Sequence, residues 1–238
     1  SNAGIVRETG SGVEQFQPGD RIGCIGAGYA LHSDWAVVPQ NLCTHLPRNV
    51  SFAQGAFAML AATSLHALRR GEPRLGEFAA VVGLGLVGQL AAQLYQLAGN
   101  YVIGWDMLPL RLQIASHSGI DETVDVGRED VVRKTQTLTG GAGLDSAVIA
   151  YGGEADRTME DILASMKLSP DTHRMGTIVI VGSPRFRYPC GTHNVDIRRA
   201  ARTGPGYHDE PWEIGPDYPS VFMRWTTRTN LALCMRLI

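Results

Sequence analysis

A chain of 238 residues, 44% apolar and 18% charged, can bury a core as one large domain or as one domain plus part of another. Its net charge of −2 gives no electrostatic reason to expect nucleic acid or an anionic membrane surface as a partner. The longest apolar run is too short to cross a bilayer, and the first residues carry no basic-plus-apolar signal pattern.

Cys24, Cys43, Cys190 and Cys234 are far apart in sequence and form no C-x-x-C unit, which reads as reduced, mostly buried thiols of a cytoplasmic protein. Ser1-Asn2-Ala3 has the look of a cleaved tag and is set aside from the fold. The chain lacks an initiating Met and stops at Leu237-Ile238 inside an apolar-periodic helix, so a fragment of a longer protein is expected.

Residues 4–46 read as β structure with turns. Gln17-Pro18-Gly19-Asp20 is a turn by composition, and Arg21–Ile25 and Asp34–Pro39 are strand-like runs either side of Gly26-Ala27-Gly28. Ser51 and Gln54 fit a capping box, which predicts an Ala-rich helical region to about Arg70. The loop 71–76 leads to a strand at Phe78–Val82 and a helix over Leu84–Ala98, with Gln89, Gln93 and Gln96 on one face and Leu90, Ala91, Leu94 and Leu97 on the other.

Strands at Tyr101–Trp105, Glu122–Asp125, Leu144–Tyr151, Thr177–Val181 and Val195–Ala201 then follow. Between them lie a helix from Pro109 to the stop at Gly119, one at Glu129–Leu138, and one through Met159, Ile162, Leu163 and Met166. Such alternation predicts an α/β fold: a doubly wound parallel sheet whose ligand site lies at the carboxyl ends of its strands. The expected domains are 1–48 and 49–238, the second with an inserted loop at about 203–226.

The chemistry centres on Gly83-x-Gly85-x-x-Gly88, set between strand and helix. Gly83 permits a tight turn, Gly85 lets backbone approach a pyrophosphate, and Gly88 lets the helix pack close to the sheet. The helix N-terminus at Leu86 and Val87 then presents N–H groups and a partial positive charge to phosphates. Asp106, 18 residues beyond Gly88, is placed to accept bonds from ribose hydroxyls and to repel a 2′-phosphate, so NAD is expected over NADP; a surface Asp capping the Pro109 helix is the compatible alternative. Arg111 is the counter-signal: it pairs with a phosphate, or it is a solvated helix residue or stacks near the adenine.

His32, His45, His66, His117, His173, His193 and His208 stand singly, without an H-x-x-x-H unit, so no metal site and no zinc are expected in this chain. The stretch from Thr203 to Trp225 is long, aromatic and charged. Two readings stay open for it: Tyr207, Tyr218 and Arg224 orient a polar, sugar-like or carboxylated small-molecule substrate, or the stretch is an interdomain or subunit contact.

With those residues in view, the chain resembles the medium-chain dehydrogenase/reductase superfamily, that of the zinc alcohol dehydrogenases. The matching pieces are Gly4-Ile5-Val6, Val13-x-x-Phe16-x-Pro18-Gly19-Asp20-Arg21, Ala61 to Ala67, the Gly83 turn, Asp106, Arg111-Leu112, Thr139 to Asp145 and Gly176 to Gly182. Gly26 to Ala30, Gly204 to Tyr207, Asp217-Tyr218 and Arg224 to Thr226 are similar to a narrower group, the bacterial bi-domain oxidoreductases.

The resemblance implies a Rossmann domain preceded by the last part, roughly residues 4–48, of a GroES-like catalytic domain. It puts Thr63 near the nicotinamide and Gly182 and Ser183 at the edge of the ring pocket. It also implies a homodimer and, in the narrower group, a fused second oxidoreductase domain. The expected function is the dinucleotide-binding part of an NAD-dependent oxidoreductase acting on an alcohol or carbonyl, inactive alone, with no catalytic acid or base assigned. The alternatives are a zinc-dependent alcohol or polyol dehydrogenase with ligands upstream, and a non-catalytic NAD(H)-binding module.

Overall fold

A computed structural model describes residues 1–187 and 193–238; Cys190 falls outside the described residues. The chain forms two compact units, Ala67–Ala200 and Ser1–His66 with Ala201–Ile238.

The first unit is the alternating part. Strands β1 (Phe78–Val82), β2 (Tyr101–Asp106), β3 (Glu122–Asp125), β4 (Ser146–Ile149), β5 (Met175–Ile180) and β6 (Asn194–Arg199) form one sheet in the order β6-β5-β4-β1-β2-β3. Every pairing in it is parallel. Helices α1 (Leu86–Leu97), α2 (Pro109–His117), α3 (Val131–Leu138) and α4 (Asp156–Ser165) fill the crossovers.

Because helices cover both faces, β1 has no polar side to show, and this is why it reads as an unbroken apolar run. Its period-2 alternation survives in what each residue touches. Ala80 and Val82 join Trp105, Ile149, Ile162 and Met166, whereas Ala79 and Val81 join Ala91, Ala92, Tyr95 and Ala115. The fold expectation of a doubly wound sheet is met, and the order reverses between β4 and β2, with β1 at the switch point.

The second unit opens with a three-stranded antiparallel sheet of Asn2–Ile5, Arg21–Cys24 and Cys43–His45. Asn2 and Ala3, set aside from the sequence, pair with Cys24 and Gly23. Asp34–Pro39 is not a strand, which corrects the expectation of a strand-like run there: Trp35 and Val37 are exposed and the segment joins no strand ladder.

The Ser51 capping box forms as read, with the hydroxyl accepting from Gln54 N–H. The helix it starts, Phe52–Gly55, stops short of a second one at Ala58–Gly71. The 203–226 stretch is more ordered than a loop, since it holds the helix Glu210–Ile214 with Trp212 buried at 2% exposure. Asn41 Nδ2 donates to the carbonyls of Trp212 and Gly215, at 2.6 and 3.0 Å. A capping box of Thr226 and Thr229 then starts Thr227–Leu237. Among the described residues no helix is long and apolar enough to cross a membrane.

Candidate functional site

At the carboxyl end of β1 the chain makes its turn at Gly83, whose φ of 90° lies where side-chain-bearing residues are strained. Gly83 N–H donates to the Trp105 carbonyl at 2.8 Å, and Leu84 N–H donates to Asp106 Oδ2 at 2.7 Å. The glycine turn is thus fastened to the end of β2 by backbone and by carboxylate. Helix α1 opens with Leu86 and Val87, and its cap position, Gly85, carries no side chain over the helix end.

The three glycines separate by what a Cβ would meet. At Gly85 nothing lies within 4 Å, whereas at Gly88 the Gly83 carbonyl oxygen lies at 1.9 Å. Gly88 therefore serves packing, and Gly85 borders open space. That division fits the cradle a dinucleotide pyrophosphate requires.

Asp106 is 6% exposed. Besides Leu84 it accepts from Leu108 N–H through Oδ1 at 2.9 Å, and Arg111 Nη1 approaches Oδ2 at 3.4 Å. Asp106 is held chiefly by backbone donors, and Arg111, half exposed, contributes a looser ion pair. Gln89 Nε2 ties the two helices by donating to the carbonyls of Leu84 and Arg111, at 3.2 and 2.8 Å.

The neighbouring strands continue this edge. A Cβ on Gly83 would stand 3.1 Å from that of Tyr151, and one on Gly182 would stand 2.1 Å from the Tyr151 carbonyl oxygen. Gly83, Tyr151 and Gly182 therefore lie in a row beyond β1, β4 and β5. Past them, Gly153–Glu154 and Pro184–Arg185 pair in parallel, which holds Ser183 beside Gly152. Tyr151, whose hydroxyl donates to Thr158 Oγ1 at 2.6 Å, went unnoticed as a site residue. Its position between two glycine turns has no sequence signature.

Thr63 belongs to the other unit, on the helix Ala58–Gly71, and its hydroxyl donates to the Met59 carbonyl one turn back at 2.8 Å. Tyr207 lines a cavity of about 340 Å³ with Gly26, Ala27, Tyr29, His208 and Glu213, and its hydroxyl accepts from Ala27 N–H at 3.1 Å. Glu213 is 5% exposed and takes the His208 N–H at 2.8 Å. Tyr218 and Arg224 have other partners. The Tyr218 hydroxyl donates to Asp209 and its ring stacks on Trp212, while Arg224 lies over Trp225.

The Asp209 carboxylate beside its hydroxyl, together with partial burial, pushes the Tyr218 phenol up to about 12 from its ordinary 10. The folded value is the raised one, so this stabilisation is fully present below pH 10 and is lost between pH 10 and about 12. Tyr218→Phe is expected to cost about 1 kcal/mol at neutral pH. Its stability gap to the unaltered protein, read from urea midpoints, should shrink across that window; a constant gap would remove the Asp209 partnership.

Among the described residues no three His, Cys, Asp or Glu side chains stand together as a metal site needs.

Six parallel strands in this order, helices on both faces and the glycine turn at the reversal define a Rossmann unit, here accompanied by a GroES-like antiparallel region. The family described as zinc-binding dehydrogenase matches residues 87–204. The chain is 32% identical over 157 residues to D-guloside 3-dehydrogenase of Shigella flexneri, covering 64% of this chain and 43% of that protein. To sorbitol dehydrogenase of Bacillus subtilis it is 26% identical over 210 residues, 76% of this chain and 57% of that one.

Galactitol-1-phosphate dehydrogenase from Escherichia coli shares the fold at a TM-score of 0.74 and 16% identity, over 99% of this chain and 70% of that one. An alcohol dehydrogenase from Thermus sp. ATN1 does so at 0.68 and 23%, over 84% and 69%. The chain belongs to the medium-chain dehydrogenase/reductase superfamily. It spans about half the length of the curated relatives it matches.

Proposed function

We propose that this chain is the dinucleotide-binding part of an oxidoreductase that moves a hydride between C4 of a nicotinamide and a carbinol or carbonyl carbon, with NAD(H) preferred over NADP(H). The observation that carries this reading is the Gly83–Gly88 turn fastened to the Asp106 carboxylate at the sheet's switch point. When bound, the dinucleotide supplies the redox chemistry.

The chain's own residues bind and align. The α1 N-terminus and Gly85 receive the pyrophosphate, Asp106 accepts from the adenosine ribose, and Gly182 and Ser183 border the nicotinamide. Arg111, drawn toward Asp106, would have to leave it to serve a 2′-phosphate. The expected substrate is polar and sugar-like. Relatives named for a guloside and for sorbitol support that class, as does a cavity edged by Tyr207, Tyr29 and Glu213. In this reading Tyr207 faces substrate, and Tyr218 and Arg224 hold the 203–226 segment in place. The proposal also carries a homodimer and a fused second oxidoreductase domain in the whole protein.

NADH and NADPH fluorescence titrations at one salt concentration test it. NADH is expected to bind about tenfold more tightly, or ~1.4 kcal/mol. Equal or tighter NADPH binding would remove the role given to Asp106. The chain alone is expected to bind NAD(H) without turnover, so steady NAD-linked oxidation of sorbitol by it would overturn that part.

A further inference from the structure

Far apart in sequence, Cys24 and Cys43 are directly opposite each other on adjacent antiparallel strands. The ladder bond from Ile25 N–H to the Leu42 carbonyl, 2.9 Å, makes theirs a non-hydrogen-bonded pair. In such pairs the Cα atoms are about 4.5 Å apart and both side chains rise from one face. That spacing lies within the range of roughly 4.4–6.8 Å that a disulfide spans.

The sulfurs stand 3.6 Å apart, each residue 4% exposed, packed with Ala30 and against Phe16, Ile22 and Val38. The Cys43 thiol donates toward Cys24 Sγ and also lies 3.4 Å from the Pro39 carbonyl. Being the acceptor holds the Cys24 thiol below its ordinary value against the opposing pull of burial, and being the donor pushes Cys43 up.

We propose that Cys24 and Cys43 form a redox modification site, at which hydrogen peroxide oxidises Cys24 and Cys43 then closes a cross-strand disulfide. Cys24 is the attacking sulfur because it needs only to lose a proton, whereas Cys43 must also give up its hydrogen bond. Its thiolate attacks a peroxide oxygen. The S–O bond forms as O–O breaks, sulfur loses two electrons to the peroxide, and the departing hydroxide leaves as water. Cys43 sulfur then attacks Cys24 sulfur. The S–S bond forms as S–O breaks, and the second hydroxide leaves with the Cys43 proton as water. In sum, two thiols and one peroxide give one disulfide and two waters.

Burial selects the oxidant: peroxide is small enough to reach sulfurs that a glutathione-sized disulfide cannot. The bridge would close off residues 25–42, the segment that brings Gly26, Ala27 and Tyr29 to the cavity beside Tyr207.

The test treats the reduced protein with hydrogen peroxide, blocks remaining thiols by alkylation, and maps peptides without reduction. A Cys24–Cys43 linked peptide, with an intact mass lower by two hydrogens and restored by dithiothreitol, is the expected result. In Cys43→Ser the sulfenic acid should persist on Cys24, where a cyclic-dione probe traps it, and in Cys24→Ser the probe should not label Cys43. No linked peptide at peroxide levels that already oxidise methionine would overturn the proposal. A link from Cys24 to Cys190 or Cys234 would do the same, as would probe label on Cys43 in the Cys24→Ser variant. Should a variant fail to fold, the peptide map of the unaltered protein decides alone.

Discussion

Gly85→Ala is expected to leave the fold standing and weaken NADH binding at least tenfold, or ~1.4 kcal/mol, whereas Gly88→Ala is expected to damage the fold itself. The two glycines sit in one six-residue motif yet meet opposite surroundings. Gly85 has φ −68° and ψ −170°, which any residue adopts, and a Cβ there touches nothing within 4 Å. Alanine therefore adds no clash, and its weaker preference for the cap position costs about 1 kcal/mol or less. What it removes is room over the helix end, where the pyrophosphate has to approach.

At Gly88 the obstruction is the Gly83 carbonyl, with oxygen at 1.9 Å and carbon at 2.9 Å from the new Cβ. Both are backbone, so no rotamer change relieves them, and the α1 start must move off the turn. Overpacking of this kind costs about 1–3 kcal/mol or more. Urea denaturation and NADH titration on both variants separate the effects. A Gly85→Ala protein that binds NADH like the unaltered one would mean that the pyrophosphate does not cross Gly85.

Legibility followed how local each cause is. Phe78–Val82 and Glu122–Asp125 were readable to the residue. For the first, burial on both faces leaves a continuous apolar run, and the glycine turn marks its end. The capping boxes differ instructively: Ser51–Gln54 could be read because Gln is a usual partner, while Thr226–Thr229 does the same work with a residue the pattern does not specify. Asp34–Pro39 failed because a short apolar run states a preference, and only a neighbouring strand makes it real.

The GroES-like sheet pairs residues through a register that no local signal sets, so the facing of Cys24 and Cys43 was invisible in the sequence. The aromatic stretch after Thr203 was legible as unusual but not as built. Its Tyr218 and Trp212 are spent on Asp209 and Asp217, with Trp212 Nε1 donating to Asp217 at 2.7 Å, and Arg228 clamps the other Asp217 oxygen at 2.6 Å. At the glycine turn the spacing of Gly83, Gly85, Gly88 and Asp106 was legible, and so was a cap on the Pro109 helix, but the burial of Asp106 and its bond to Leu84 N–H were not. The structure gives that carboxylate a first task within the protein.

With the proposed ribose contact added to that task, Asp106 becomes the position where stability and cofactor choice can be pulled apart. Asp106→Ala leaves Leu84 N–H without the acceptor it has at 2.7 Å and Leu108 N–H without its own at 2.9 Å. An unsatisfied buried donor costs about 1–3 kcal/mol, so a loss of roughly 2–3 kcal/mol in urea unfolding is expected, together with loss of NADH binding as the turn loosens. Asp106→Asn keeps one acceptor of nearly the same shape, so its stability loss should be about 1 kcal/mol.

The amide also removes the negative charge without emptying the space, and this isolates electrostatics from packing. If the charge is what disfavours a 2′-phosphate, NADPH should gain relative to NADH in the Asn variant by several-fold, the more so because Arg111 no longer faces a carboxylate. Arg111→Ala supplies the converse. Arg111 is half exposed and its contact with the buried Asp106 is loose at 3.4 Å, so the pair is worth under about 1 kcal/mol, the fold should hold and NADPH should lose ground. An Asn variant that stays folded and keeps the NADH-to-NADPH ratio unchanged would leave Asp106 as a brace for the glycine turn and nothing more.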